Sequence, residues 1–183
     1  MNKLSILVLA GVTCFSAAAQ AAQELGAFYS NIGATLLSND SHDESAYSAE
    51  VGYNQKLSPF LSLDLSYKRV ETFDSSVSAG ANDFAQKYDA YGVGLRADQN
   101  IGDLSIFAKA GGSYILSEIT TWDSLAGAEK TDEDESLKPY ASAGFNIASP
   151  YDKRLSFGVE ISYQMLSDDE YATSFSGGVN YGF

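Results

Sequence analysis

The chain has 183 residues, with 24 acidic and 11 basic side chains, one His, one Cys and a formal net charge of −13. This acidity argues against a nucleic-acid-binding protein, which needs a basic surface. The single Cys excludes a disulfide scaffold, and the single His excludes a metal site built from two His. The length fits one domain, and nothing in the composition points to a cofactor.

The first residues have the pattern of a secretory signal peptide. A short positive start at 1–3 precedes the apolar segment 4–10, and Ala19-Gln20-Ala21 fits the small-x-small cleavage rule. The alternative, an N-terminal membrane anchor, needs a longer apolar run. We therefore predict a cleaved signal peptide at 1–21 and a mature domain at 22–183, with a net charge of −14 once Lys3 is removed.

The mature chain alternates apolar and polar residues with a period of two, which predicts β-strands. The segment 155–165 shows the pattern most clearly, because its odd positions are apolar or aromatic and its even positions are Ser, Gly, Glu and Gln. Eight such strands are predicted, at roughly 26–37, 46–55, 60–70, 89–98, 103–116, 137–148, 155–166 and 173–183. Most have 10–12 residues, a length that suits tilted membrane-spanning strands of about 9–11 residues.

The connections alternate in length along the chain. Short turns are predicted at 56–59, 100–103 and 149–154, and longer loops at 38–45, 71–88, 117–136 and 167–172. This arrangement is typical of an all-β, antiparallel up-and-down barrel with short periplasmic turns, longer extracellular loops and both termini on the short-turn side.

The orientation of the two faces separates a membrane barrel from a soluble lipocalin-like one. An eight-stranded barrel has an interior only just wide enough for side chains, and the apolar face carries too many large residues to fit. The small polar face also carries four acids and four bases: Glu50, Asp64, Asp98, Glu160, Lys68, Arg96, Lys109 and Lys138. Because a buried ion is costly unless paired, this balance predicts a charge network in the lumen. The alternative is eight solvated surface charges.

Aromatic residues of the apolar face fall into two groups at the strand ends. One group lies toward the long loops: Tyr47, Tyr67, Tyr91, Tyr114 and Tyr163. The other lies toward the short turns: Phe28, Tyr53, Phe157, Tyr181 and Phe183. Two such bands are typical of the aromatic girdles at the interfaces of a bilayer.

The last predicted strand, Phe175-Ser-Gly-Gly-Val-Asn-Tyr-Gly-Phe183, ends on an aromatic residue after alternating apolar positions. With this ending, the mature chain resembles the small eight-stranded outer-membrane barrels of Gram-negative bacteria, the OmpA/OmpX type within the outer-membrane β-barrel domain family. The resemblance implies an outer-membrane location and contact with its lipid and lipopolysaccharide. It also implies that Phe175, Val179, Tyr181 and Phe183 form the insertion signal read by the barrel-assembly machinery.

The long loops and the residues next to them hold 17 of the acidic residues and only two Lys, Lys87 and Lys130. This charge either keeps the loops solvated or recruits cations and basic partners. The run Asp132-Glu133-Asp134-Glu135 is a candidate weak site for Ca²⁺ or Mg²⁺, which prefer carboxylate oxygens. It lacks the Gly and the twelve-residue spacing of a calcium-binding loop.

The leading interpretation is a non-enzymatic outer-membrane protein with a plugged polar lumen, acting in envelope structure, adhesion or surface interaction. One alternative is a channel for small solutes or apolar molecules, as in the OmpW-like group. A less favoured one is a lipid A-modifying acyl enzyme, for which the residue types are present: His42 with Asp43, and Asp74 with Ser75 and Ser76.

Overall fold

The computed structural model describes residues 26–38, 43–73, 85–123, 128–167 and 170–183, so the predicted signal peptide lies outside it. The described residues form eight antiparallel strands, each paired with the next, and β1 pairs with β8 to close a barrel. The strands are β1 Gly26–Ser38, β2 Asp43–Ser58, β3 Leu61–Thr72, β4 Ala85–Ile101, β5 Leu104–Asp123, β6 Ala128–Ala148, β7 Leu155–Met165 and β8 Tyr171–Gly182. In these ranges no helix is long and apolar enough to span a bilayer.

The apolar face of the barrel points outward, as the volume argument predicted. On β7, Ile161 and Tyr163 are 55% and 44% exposed, whereas Glu160, next to Ile161, is 5% exposed. The predicted fold class, an eight-stranded antiparallel up-and-down barrel with its apolar surface outward, is therefore confirmed. The alternation of small polar and large apolar residues produces it, because successive side chains of a strand leave on opposite faces.

The strands β5 and β6 reach further than predicted. The segment 117–136 was expected to be a loop, but the two strands pair through it as far as Asp123 opposite Ala128. Thr120, Thr121 and Trp122 favour strands, whereas residues 128–135 are mostly Ala, Glu, Lys and Asp, which are rare in strands, so their extension follows from pairing with β5 rather than from their own preference.

Tight turns join the strands at the end where the described chain begins and finishes, which we call the turn end; the opposite end is the loop end. Gly102 has a φ of 65° and opens a two-residue turn with Asp103, as a type II′ hairpin requires. In the turn before β7, Arg154 binds both carboxylate oxygens of Asp152, at 3.1 Å from Nε and 2.9 Å from a terminal nitrogen. These hydrogen bonds hold the pKa of Asp152 below its usual value.

Three of the large aromatic side chains in the lumen, Tyr29, Phe107 and Tyr140, each lie across from a glycine on a neighbouring strand. The register pairs are Tyr29 with Gly52, Phe107 with Gly144, and Tyr140 with Gly111. A Cβ at Gly144 would lie 2.8 Å from the Phe107 ring, and one at Gly111 would lie 2.9 Å from the Tyr140 ring. The narrow lumen thus holds these rings only because the position opposite each one has no side chain.

The variant Gly144→Ala should destabilise the barrel by about 1–3 kcal/mol, since the added methyl group overlaps the Phe107 ring and the β7 backbone. The matched control is Gly112→Ala, because a Cβ at Gly112 meets no atom within 4 Å. Urea unfolding in lipid vesicles, followed by the mobility of folded and unfolded forms on unheated gels, measures the difference. Equal midpoints for the two variants would contradict this account of the packing.

Candidate functional site

The centre of the lumen holds an ionic cluster around Lys109, which β5 directs inward. The Lys109 Nζ lies 3.0 Å from Glu160 Oε1, 3.4 Å from Glu50 Oε1 and 3.9 Å from Asp64 Oδ1. The same Nζ lies 4.6 Å from the centre of the Tyr29 ring. One ammonium group is therefore surrounded by three carboxylates that come from three other strands.

Each of these carboxylates also accepts a hydrogen bond from a neutral side chain. Tyr29 Oη donates its single proton to Glu50 (2.9 Å) and also lies 3.1 Å from Asp64. Tyr140 Oη donates to Asp64 (3.2 Å), and Asn31 Nδ2 donates to Glu160 (3.1 Å). Buried charges are tolerated when they are both paired and hydrogen-bonded, so this arrangement stabilises the cluster.

Lys68 and Lys138 share the inward face but have different surroundings. Lys68 is 9% exposed and donates to Ser174 Oγ at 2.7 Å and to Ser162 Oγ at 3.0 Å. Lys138 is half-buried and lies opposite Ser113 in the register of β5 and β6. Of the eight predicted charges, the contacts around Lys109 thus join Glu50, Asp64 and Glu160.

Arg96 and Asp98 form a separate ion pair nearer the turn end. A terminal nitrogen of Arg96 lies 2.8 Å from Asp98 Oδ1, and Arg96 Nε donates to the same oxygen at 2.9 Å. The guanidinium group also lies 3.9 Å above the Phe107 ring. Charge pairing and a cation–π contact together hold this pair at the edge of the lumen.

The lumen of the described barrel contains cavities of very different size. One of about 20 Å³ lies beside Glu50, Lys68, Lys109 and Glu160, and its volume suits about one water molecule. The other, of about 500 Å³, lies at the turn end and is lined mainly by polar side chains. Free volume is therefore concentrated at the turn end and is small in the middle of the barrel.

An apolar layer covers the lumen toward the loop end, and the sequence analysis missed it. Its members are all 0–4% exposed: Leu37, Ala46, Val70, Tyr88, Ala90, Ile115, Leu166 and Ala172. A signal was present in the sequence, since Leu37, Val70, Tyr88 and Ile115 fall on the inward parity of their strands, where small polar residues otherwise prevail. The pattern of small polar residues alone predicts a mostly polar inward face.

The predicted insertion signal lies on the outward face of β8 and just beyond it. Phe175 is 64% exposed, Val179 and Tyr181 are each 41% exposed, and Phe183 is 45% exposed. The Phe183 ring contacts that of Phe28 at 5.5 Å between centres. These side chains are accessible along one strand, and their recognition by an assembly machinery stays a prediction.

Charged pairs and aromatic rings lie together at the loop end. Lys87 Nζ lies 2.8 Å from Glu118 Oε2, and Arg69 lies 3.7 Å from Asp89 Oδ1. The aromatic pairs of this end are Tyr67 with Tyr91, Tyr47 with Phe73, and Tyr163 with Tyr171. At the turn end, rings of Phe28, Tyr53 and Phe183 form the corresponding cluster.

The candidate cation run, residues 132–135, is part of β6. Asp134 and Glu135 are both exposed, and as consecutive strand residues their side chains leave on opposite faces. Glu135 accepts a hydrogen bond from the Tyr114 hydroxyl. The side chains of Asp132 and Glu133 lie outside the description, and the described residues include no group of three or more His, Cys, Asp or Glu suited to a metal ion. Cation binding here stays a prediction.

The residues considered for acyl-transfer chemistry lie almost entirely outside the described ranges. Asp43 is exposed at the start of β2, whereas His42, Asp74, Ser75 and Ser76 are not described. The structure therefore provides no geometry for a nucleophile, a base and an acid.

A family model places this barrel among outer-membrane proteins, and several solved structures share its fold. The family model described as "Outer membrane protein beta-barrel domain" matches residues 7–183. Neisserial surface protein A has 13% identity and a TM-score of 0.69, covering 86% of this chain and 97% of its own. Ail of Yersinia pestis, solved with the heparin analogue sucrose octasulfate, has 16% identity and a TM-score of 0.59, covering 86% and 99%. OprG of Pseudomonas aeruginosa has 13% identity and a TM-score of 0.56, covering 88% and 97%.

No curated protein is similar enough in sequence to serve as a relative. The structural similarities, at such low identity, show the fold alone. The family match covers nearly the whole chain, and together with the closed barrel and its outward apolar face it leads to one conclusion: this chain belongs to the outer membrane protein β-barrel domain family.

Proposed function

We propose that this protein is a non-enzymatic outer-membrane barrel with a closed lumen, and that it acts through its acidic loop end in surface interaction or adhesion. The observation that carries the proposal is the ionic cluster around Lys109, which occupies the middle of the barrel and leaves a cavity of about 20 Å³ beside it.

Two layers support closure of the lumen. The ionic cluster ties β5 to β2, β3 and β7 through Glu50, Asp64 and Glu160, so opening it would expose carboxylates without their ammonium partner. Above it, the apolar layer offers no hydrogen-bonding groups to a passing ion, apart from the Tyr88 hydroxyl. A hydrated solute would have to displace both layers.

The charge at the loop end supports the surface role. Seventeen acids lie in or beside the connections and strand ends there, against Lys87 and Lys130. Such a potential attracts cations and basic partners. The Ail structure was solved with a polyanion, sucrose octasulfate. Because the loop end of this chain is acidic, we expect it to bind a positively charged partner instead.

The membrane itself supplies further partners under this proposal. The outward apolar face would contact outer-membrane lipid, and divalent cations would bridge the acidic rim to the phosphates of lipopolysaccharide. During insertion, the exposed Phe175, Val179, Tyr181 and Phe183 would be read by the barrel-assembly machinery.

A channel is the second candidate, favoured by the cavity of about 500 Å³ at the turn end. This cavity gives a solute room to enter from one side. A continuous path would require a rearrangement of Lys109 and of the apolar layer.

The variant Lys109→Met should destabilise the barrel by about 3–5 kcal/mol, since it leaves three buried carboxylates without their cation. The matched control is Lys153→Met, which removes a pair with Asp103 whose side chains are 63% and 67% exposed. This exposed pair should contribute about 0–1 kcal/mol. Urea unfolding in vesicles compares the two, and similar losses would show that the central cluster is not a structural plug.

Purified protein in planar bilayers should show no steady conductance, because ions and apolar side chains fill the middle of the lumen. A steady conductance that is the same in the wild type and in Lys109→Met would refute the closed lumen and favour the channel. Detergent-only membranes are the blank for this recording.

Vesicles carrying the protein should bind polylysine at low salt and release it as ionic strength rises, since exposed charges are screened beyond about 8 Å at 0.15 M. Protein-free vesicles of the same neutral lipid are the control. Equal binding to both kinds of vesicle would remove the proposed attraction of basic partners.

A further inference from the structure

The cavity of about 500 Å³ at the turn end has a basic lining, although the chain as a whole is acidic. Four basic and two acidic side chains line this cavity, whereas the full sequence has 11 basic and 24 acidic residues. Its volume lies within the range of about 300–1,000 Å³ that is usual for ligand pockets. A basic lining raises the local concentration of anions, so the charge indicates a negatively charged occupant.

Lys56 and Arg96 lie on either side of Ser62 in the wall of this cavity. The register places Lys56 opposite Ser62 across β2 and β3, and Ser62 opposite Arg96 across β3 and β4. The contacts from Arg96 to Asp98 use two of the five N–H donors of a guanidinium group. Three adjacent strands thus provide an ammonium group, a hydroxyl group and a guanidinium group at neighbouring inward positions, a set of donors that suits an oxyanion.

The other basic residues of the lining form exposed ion pairs. Lys153 pairs with Asp103, and Arg154 pairs with Asp152 of the same turn. The side chains of these pairs are 40–67% exposed, and ion pairs so open to solvent are weak. Lys153 and Arg154 can therefore turn toward an anion that enters the cavity.

Two buried polar atoms in the cavity wall have no hydrogen-bond partner among the described residues: Asn54 Oδ1 and Ser62 Oγ. Asn54 is 5% exposed and Ser62 is 1% exposed. A buried polar atom without a partner is costly, so each such atom needs an explanation. The Asn54 oxygen needs a donor, and the Ser62 hydroxyl can donate to an acceptor. A ligand with both hydroxyl groups and an anionic group would supply both partners.

We propose that the cavity at the turn end binds a small hydroxylated oxyanion, a sugar phosphate or a sugar acid. The anionic group would be held by Lys56, Ser62 and Arg96. The hydroxyl groups would be bound by the amide side chains of the lining: Asn54, Asn100, Asn146 and Asn180. This site lies at the opposite end of the barrel from the acidic loops, so it does not depend on the surface role proposed above.

The position of the cavity favours a soluble ligand over a lipid headgroup. The cavity lies inside the closed sheet, whereas membrane headgroups lie outside it. A lipid would have to withdraw its acyl chains from the bilayer to place its phosphate there, which the hydrophobic effect opposes. A neutral sugar, in turn, would leave the excess positive charge of the lining unmatched.

The test measures binding of glucose 6-phosphate to the barrel in nanodiscs of neutral lipid by isothermal titration calorimetry, with glucose and inorganic phosphate as separate probes. Lys56→Gln removes a positive charge from the wall, and Ser62→Ala removes the unpartnered hydroxyl. The matched controls are Lys138→Gln and Ser142→Ala. Lys138 is a half-buried residue of the inward face, Ser142 Oγ is likewise buried without a described partner, and neither residue lines this cavity.

We expect Lys56→Gln to weaken binding of glucose 6-phosphate at least fivefold and Ser62→Ala at least threefold, while both controls change it less than twofold. Glucose and inorganic phosphate should each bind the wild type at least tenfold more weakly than glucose 6-phosphate. Ser62→Ala should not lower the urea midpoint, because the hydroxyl that it removes has no described partner to lose. A loss of binding in this variant would therefore report on the site and not on folding.

Three results would overturn the proposal. Binding that Lys138→Gln weakens as much as Lys56→Gln would show general attraction of anions to the barrel. Inorganic phosphate that binds as tightly as glucose 6-phosphate would refute a site for a hydroxylated ligand. An absence of saturable binding of glucose 6-phosphate at millimolar concentrations would refute the site altogether. If Lys56→Gln fails to fold, as judged by gel mobility, the three probes on the wild type and on Ser62→Ala test the same contacts.

Discussion

The structure depends on one constraint: in the hydrocarbon of a membrane, every backbone N–H and C=O must find its partner within the protein. The pairing of β1 with β8 meets it by leaving no sheet edge along the spanning part of the barrel. Closure with eight strands then leaves a lumen that only side chains can fill. The large apolar residues must therefore face outward, which is the reverse of a soluble barrel.

The narrow lumen explains why its charges are balanced and why its glycines lie where they do. An ion inside the barrel has little water to solvate it, so Lys109 needs Glu50, Asp64 and Glu160 close by, and these need further hydrogen bonds. The rings of Tyr29, Phe107 and Tyr140 fit into the same narrow space because a glycine lies opposite each of them. Charge pairing and packing are thus two consequences of the same small radius.

The strands and the outward direction of the apolar face could be predicted, because apolar and polar residues alternate with a period of two in the sequence. The pairing of Phe107 with Gly144 could not be predicted, because it depends on the register between strands. Composition and alternation contain no information on that register. The contacts of Lys109 depend on that register in the same way. The apolar layer could have been predicted, because the alternation places Val70 and Ile115 on the inward face of their strands. The long hairpin of β5 and β6 could not be predicted, because residues 128–135 are mostly Ala, Glu, Lys and Asp, which are rare in strands.

Where the barrel leaves the membrane, the constraint is relaxed, and β6 shows the consequence. Among the described strands, none pairs with residues 128–135 on the side away from β5. Water can satisfy backbone groups on that side, so an unpaired edge costs little there, whereas it would be prohibitive in lipid. Pro139 lies where pairing with β7 stops, and its missing N–H costs no bond to β5, because odd residues of β6 face away from that strand. An exposed edge still carries the risk of aggregation, and the acids along it oppose pairing between copies. The backbone groups of the barrel are therefore hydrogen-bonded in two ways. Strand pairing satisfies them in lipid, and water satisfies those at the charged edge of β6.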